Sequence, residues 1–399
     1  MANSKSTSRL RSINRQNPNF LWLRKNLFNT WYNTLLTVVC LLVIFWMGKG
    51  VWNWVFNQAQ WQVIQANLHL FLVGRYISSQ YWRVWNAFAI ASCLTGISWG
   101  IFTTKEKLRV IPIVITAFII SIILVIAPID INSRLWLLGI TGLSFTSVWL
   151  GKKFTLIITP WISWMWVISF PIILWLIGGG FNLQEVRSDL WNGLLLTLLM
   201  AAGSIVISFP IGIFVALGRS STLPVWRWFC ILYIEIVRGL PLIGILFLAQ
   251  FMLPLFLPSE WGLDRVVRAL AGLVLFSAAY MAENIRGSLQ AIPRGQLEAA
   301  KALGLKTLLI IWFIILPQAL RAVIPAIVGQ FIGLFKDTSL LSLVGLVELT
   351  RIARSILAQP QFMGRYAEVY LFIGFIYWLF CYSMSLAARK LEKQLRVGN

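Results

Sequence analysis

Apolar runs long enough to cross a bilayer recur along nearly the whole chain, at 31–48, 84–103, 110–127, 135–150, 156–177, 191–217, 228–249, 267–285, 323–343 and 369–388. No water reaches a backbone in hydrocarbon, so each crossing segment must satisfy its own polar groups, and a helix of ~20 mostly apolar residues does so. The pattern predicts an all-α polytopic membrane protein with about ten transmembrane helices. The fourth run is short and fits a tilted or re-entrant helix equally well. No small-residue cleavage site follows the first run, which reads as a retained helix and not as a removed leader.

Composition agrees with a lipid-solvated chain: 59% of the 399 residues are hydrophobic and 12% are charged, against about 25% charged in soluble domains. A formal charge of +21 raises the question of nucleic acid. The bases, however, lie between apolar runs and not on a wettable domain, so no nucleic-acid partner is expected. Their placement gives direction instead. Arg9, Arg11, Arg15, Arg24 and Lys25 in the N-terminal arm share one side with Lys105, Lys152, Lys153, Arg219, Arg294, Lys301, Lys306 and the tail bases Arg389, Lys390 and Lys393. Asp130, Glu185, Asp189, Glu260, Asp264 and Glu348 gather on the other side. The positive-inside rule makes the first side cytoplasmic, with both termini on it, for a multi-pass protein of the cell inner (cytoplasmic) membrane. Cys40, Cys93, Cys230 and Cys381 fall inside apolar runs, without metal-ligand spacing, and read as packing residues.

Organisation changes along the chain. Residues 1–30 read as a flexible basic cytoplasmic arm. Residues 31–185 read as a five-helix membrane extension, with an outside segment near 50–83 whose Trp52, Trp54, Trp61 and Phe71 suit an interfacial helix or a small cap. Residues 186–399 carry the motifs, including a cytoplasmic loop near 288–321. In that loop Pro293 can open a helix at its first position, where the missing N–H costs nothing. Leu297, Ala300 and Leu303 recur at helical spacing as one apolar stripe, and Gly304 can stop the helix in a left-handed conformation. Pro317 would kink or end the helix that follows. A short helix pinned by a glycine turn to membrane helices can serve as a docking knob for a soluble partner, and an ordinary loop is the other reading.

Glu298, Ala299 and Ala300, then Gly304, then Ile314, Leu316 and Pro317 resemble the EAA motif of ATP-binding-cassette importer permeases, which reads EAA, three residues, G, nine residues, I-x-L-P. The resemblance implies a coupling helix seated in a cleft of the ATP-hydrolysing subunit. Glu298 would accept hydrogen bonds there, Ala299 and Ala300 would leave room for close approach, and Gly304 would set the turn. From about Leu190 to the C-terminus the chain also resembles permeases of the polar amino-acid uptake family. Tyr233 to Leu242, Ala282 to Gly287 and Lys336 to Leu340 carry that likeness, with Leu240 departing from the commoner RGTP form. The C-terminal half is thus expected to adopt the binding-protein-dependent importer permease core. The additional N-terminal runs resemble the larger permease of general L-amino-acid importers. That implies a second related permease, separate ATPase subunits, a periplasmic amino-acid-binding protein and an amino-acid substrate.

Charges at membrane depth fit a polar passenger. Glu235 and Arg238 are spaced i,i+3, as are Glu283 and Arg286, and Lys336 and Asp337 interrupt an apolar sequence beside Thr338 and Ser339. Glu235, Arg238, Lys336, Asp337, Thr338 and Ser339 are therefore candidates for a translocation pathway or gate, with structural pairing as the plainer alternative. No catalytic residue is assigned. The phosphate-cradling G-x-x-x-x-G-K-[ST] sequence is missing, so ATP and magnesium belong to a partner subunit, and this chain needs no cofactor of its own. With His69 as the one histidine, metal or His-centred catalysis has little support. The competing readings are a self-contained ion-coupled solute transporter using Glu235, Glu283 and Asp337, and a membrane enzyme.

Overall fold

The computed structural model describes residues 26–103, 131–258 and 262–396. Among these every extended element is an isolated bridge, and the rest is helix and connecting turn. Residues 1–60 and 61–399 form separate units. In the first, α1 (Trp31–Asn53) continues through a π-helical turn, Trp54–Gln58. Its 28 residues reach about 40 Å at ~1.5 Å per residue, enough for a hydrocarbon core of ~30 Å.

The second unit starts with α2 (Gln62–Val73), α3 (Tyr81–Phe102), α4 (Ile131–Lys153) and α5 (Ile162–Gly178). It continues with α6 (Gly193–Arg219), α7 (Pro224–Gly239) and α8, which begins at Leu242–Phe247 and runs through the turns Leu248–Met252 and Leu253–Phe256. Next come α9 (Arg265–Gln290), α10 (Arg294–Ala302), α11 (Leu316–Asp337), α12 (Leu349–Leu357) and α13 (Tyr366–Arg396).

Among the described residues six helices are long and apolar enough to cross a membrane: Trp31–Gln58, Ser78–Phe102, Gly193–Arg219, Arg265–Gln290, Thr307–Ser342 and Tyr366–Arg389. A seventh is counted if α7 and α8 form one span bent by 108°. These correspond to six of the runs read from sequence; the run 110–127 lies outside the described residues. Three runs come out differently. The run 228–249 is no straight span, because the chain turns sharply at Leu240 and Pro241, where proline cannot donate and leaves its predecessor extended, φ −103° and ψ 143°. The run 156–177 breaks at Thr159 and Pro160 into Thr155–Ile158 and the 17-residue α5. The run 135–150 lies in α4, which has 23 residues yet is too polar to stand among the apolar spans.

The polarity of α4 has a use. Thr141, Ser144 and Ser147 turn their hydroxyls back onto carbonyls one turn earlier, and Ser144 Oγ meets Ser92 Oγ of α3 at 2.7 Å. Small residues let the two backbones approach, since helices in lipid gain nothing from hydrophobic association and rely on close packing. A Cβ on Gly100 would lie 2.4 Å from the Val148 carbonyl, and one on Gly151 2.4 Å from that of Ile97.

At the centre α6 and α9 run parallel: Gly203 faces Leu270, and Gly212 faces Met281. Leu196 and Met200 of α6 join Leu246 of α8, Leu273 of α9 and Leu334 of α11 in one buried cluster. A second cluster unites Ala216, Ile234, Met281, Ile285 and Val323 from α6, α7, α9 and α11. Within the segment read as an interfacial helix or small cap, α2 packs into the helical core. Phe71 of α2 is fully buried, its ring 4.9 Å from Phe372 of α13, and packs with Leu349 and Ile352 of α12.

Candidate functional site

The loop from Gln290 to Pro317 forms the expected short helix. Pro293 is extended (φ −58°, ψ 133°) and precedes α10 by one residue, where its carbonyl accepts from Gln296 N at 3.1 Å; it is not the first helical residue. The helix ends on Gly304, φ +74°, whose N–H donates to Lys301 O (2.9 Å) while Leu305 N–H donates to Ala300 O (3.2 Å). This pair of bonds is the Schellman closure, which satisfies carbonyls that the helix end would orphan. Ala300 is buried, whereas Glu298 and Ala299 face solvent. The stripe expected over Leu297, Ala300 and Leu303 is shorter than its spacing implied: Leu303 has already left the helix and is 79% exposed.

After the turn, Thr307–Ile310 and a π-helical turn, Ile311–Ile315, lead into α11, and α10 packs against both. Ile314 is half-buried, Leu316 is buried and Pro317 lies exposed in the first turn of α11. Proline did not end the helix here. The wider π ring just upstream gives space for the pyrrolidine and absorbs the missing N–H, so the helical path runs unbroken from Thr307 to Ser342.

Beside the C-terminal ends of α6 and α9 lies a five-membered charge cluster. Arg219 Nη1 is 3.1 Å from Glu235 Oε1 and 3.3 Å from Glu283 Oε2, and Arg238 Nη1 is 3.7 Å from Glu283 Oε1. Arg286 grips Glu283 with both Nε (3.0 Å) and Nη2 (2.5 Å). The expected Glu283–Arg286 pair forms. Glu235 and Arg238 do not pair with each other: Glu235 turns to α6, while Arg238 turns to α9, its guanidinium 5.6 Å from the Tyr280 ring centre.

Lys336 and Asp337 end α11, one exposed and one half-buried. Thr338 is fully buried, its hydroxyl donating to Phe335 O at 2.6 Å, and Ser339 is half-buried. They open the 3₁₀ turn Thr338–Ser342, far along α11 from α10, and no bond among the described residues links them to Glu235 or Arg238. The residues singled out in sequence thus fall into three places: the α10 loop, the charge cluster and the far end of α11.

Two further features were not among the candidate residues read from sequence. Gln330 of α11 donates to the Ser277 carbonyl (2.7 Å) and accepts from Asn284 (2.9 Å), tying α9 to α11 with neutral amides that a search for charge passes over. Glu348 is fully buried and caps α12, accepting from Thr350 N (2.7 Å) and Arg351 N (3.0 Å), with Tyr377 OH at 3.3 Å. Burial pushes its carboxyl up to about 7, against the pull of those donors toward the charged form. A glutamate just before an amphipathic segment is a readable cap, but its burial is set by packing from α6 and α13. Among the described residues no group of three His, Cys, Asp or Glu side chains is arranged to hold a metal.

Comparison with known proteins gives concordant matches. Residues 208–397 match the family described as binding-protein-dependent transport system inner membrane component. The chain is 34% identical over 396 residues to the inner membrane amino-acid ABC transporter permease protein YhdY of Escherichia coli K12, covering 95% of this chain and 93% of that one. It is 36% identical to the glutamate/glutamine/aspartate/asparagine transport system permease protein BztC of Rhodobacter capsulatus, covering 94% and 93%. The shorter glutamate/aspartate import permease protein GltK of Escherichia coli O157:H7 is 35% identical over 210 residues, covering 51% of this chain and 92% of that one.

Proposed function

Because the chain belongs to the polar amino-acid uptake family of ATP-binding-cassette permeases, and is the permease subunit of an amino-acid importer, we propose that α10 is its power inlet. It is a multi-pass membrane subunit and not an enzyme. In the proposed cycle a binding protein delivers an amino acid to the outer face, and ATP binding in two soluble motor subunits draws their docked helices together. The permease pair then changes access, and hydrolysis resets it.

The single observation that carries this reading is the EAA pattern coinciding with a Schellman-closed helix that packs against the start of the continuous helical path Thr307–Ser342, which contains α11. Glu298 and Ala299 present the outward face, Ala300 packs the helix down, Gly304 fixes the turn, and Ile314, Leu316 and Pro317 form the joint with α11. Glu235, Arg238, Lys336, Asp337, Thr338 and Ser339 line or gate the passage in this reading. A second related permease completes it, both termini lie in the cytoplasm, and α4, α5 and the run 110–127 bring the spans to about ten by length. Residues 31–185 form an extension to a core of 186–399. Glutamate, glutamine, aspartate and asparagine, which name the BztC system, are the first substrates to try.

The test is co-purification with the ATPase subunits and ATP-dependent, binding-protein-dependent uptake of labelled amino acids in vesicles. A cysteine at 298 should cross-link to the ATPase and react only from the cytoplasmic side. Labelling from outside, or full-rate transport by this chain alone, overturns the reading.

A further inference from the structure

The turn between α5 and α6 is built more firmly than a connection requires. Phe181 is the one non-glycine residue with positive φ among the described residues, at 53°, and it is 99% exposed. A bulky side chain in the left-handed region is strained, and a phenyl ring held in water is unfavourable as well. No contact within the turn offsets either cost, yet its surroundings hold it in place. Gly180 and Leu183 exchange backbone hydrogen bonds at 3.0 Å across the tip, and Val186 N–H donates to Gly178 O at 2.8 Å. From the segment around the start of α3, Tyr76 OH donates to Ile177 O (2.7 Å), and Gln80 Nε2 donates to Gln184 Oε1 (3.1 Å). Arg83, 1% exposed, donates Nη1 to Gln184 O at 2.7 Å. A buried guanidinium aimed at a loop carbonyl fixes the position of a tip that would otherwise relax.

Location narrows the use. α6 starts at this turn and runs parallel to α9, whose far end leads into α10, so the turn lies at the opposite end from the proposed motor contact. Asn182, Gln184 and Glu185 are all exposed around the ring, which sets it at a hydrated level. A ring serving only to dip into lipid needs neither a strained backbone nor a carboxylate carried down beside it. An aromatic anchor, held rigid and rimmed by hydrogen-bonding groups, is the anatomy of a protein-binding hot spot, where preorganisation lowers the entropy lost on binding.

We propose that this turn is a docking point for the soluble binding protein on the outer face. Phe181 enters an apolar depression of that protein, whose rim hydrogen-bonds Asn182 and Gln184 and offers a base to Glu185. The inference rests on the reading of the chain as a binding-protein-dependent permease with this turn outside. It gives the segment upstream of the family match at 208–397 a role in delivery.

In the assembled importer in vesicles, ATPase rate is measured against binding-protein concentration. Phe181→Ser should raise the half-saturating concentration at least about fivefold, and Phe181→Gly should do the same although it relieves the backbone, while Phe181→Trp stays within about twofold. A photoreactive residue at 181 should attach to the binding protein. Unchanged half-saturation in the Ser and Gly variants, or adducts with lipid alone, overturns the docking role while leaving the importer reading intact. A wild-type complex that its binding protein does not stimulate overturns the importer reading, and the docking role with it.

Discussion

At Gly304 the constraint is angular and not steric: φ is +74°, while an added Cβ would meet nothing within 4 Å. A β-branched side chain there is disfavoured by about 1–2 kcal/mol, whereas asparagine tolerates the left-handed region. Gly304→Val is therefore expected to cut binding-protein-stimulated ATPase activity several-fold and Gly304→Asn to keep most of it; equal activity in both variants would remove the turn from the coupling path. Glu348 makes a different prediction. Its carboxyl titrates near 7 in the folded protein against 4.5 for the free group, so folding favours the protonated form. The stabilisation is complete below about 4.5 and is lost as pH rises through 7, at up to ~1.4 kcal/mol per pH unit. Thermal unfolding of the complex should show stability falling across that window, and Glu348→Gln should flatten the slope. Of these two residues, the first was legible because glycine after an Ala-rich helix implies one conformation. The second was not, since burial of Glu348 depends on residues more than a hundred positions away, such as Thr197, whose hydroxyl accepts from Leu349 N at 3.2 Å.

The seam between α3 and α4 shows what an element in lipid must do without a hydrophobic drive. Ser92, Gly96 and Gly100 recur one turn apart and meet Ser144, Ser147 and Gly151. Gly100→Leu would drive a side chain into the α4 backbone, where a Cβ alone would already lie 2.4 Å from the Val148 carbonyl oxygen, and overpacking of that kind costs about 1–3 kcal/mol. A lower unfolding temperature and a lower yield of monodisperse complex are expected, with Gly139→Leu, where nothing lies within 4 Å, as the control. This seam also explains why α4 was hard to read: hydroxyls that serve a neighbouring helix look, in one dimension, like a weak span. The runs 191–217, 267–285 and 369–388 were legible because each is long, apolar and free of an interior break. Apolar continuity carries no direction, so the 108° bend between α7 and α8 was hidden, although Pro241 marked its place.

Across the molecule, Glu283 is where α6, α7 and α9 are electrically joined. It pairs with Arg219, Arg238 and Arg286, while Glu235 pairs with Arg219 at 3.1 Å and is 58% exposed. Glu283→Gln should therefore destabilise the complex by on the order of 1–3 kcal/mol and Glu235→Gln by under about 1 kcal/mol, as read by thermal unfolding at low and high salt. The junction of α2 with α6 leads elsewhere. A Cβ on Gly193 would sit 2.6 Å from the Phe71 carbonyl, and one on Gly74 2.2 Å from Asn192 Cβ, so the two elements cannot slip past one another. When α6 tilts, α2 and the helices behind it must swing with it, displacing acyl chains over a wider area than the passage itself demands. Turnover is accordingly expected to vary with bilayer thickness, and transport rates in vesicles of graded chain length, set beside those of a short permease such as GltK, would reveal the added drag as a steeper dependence.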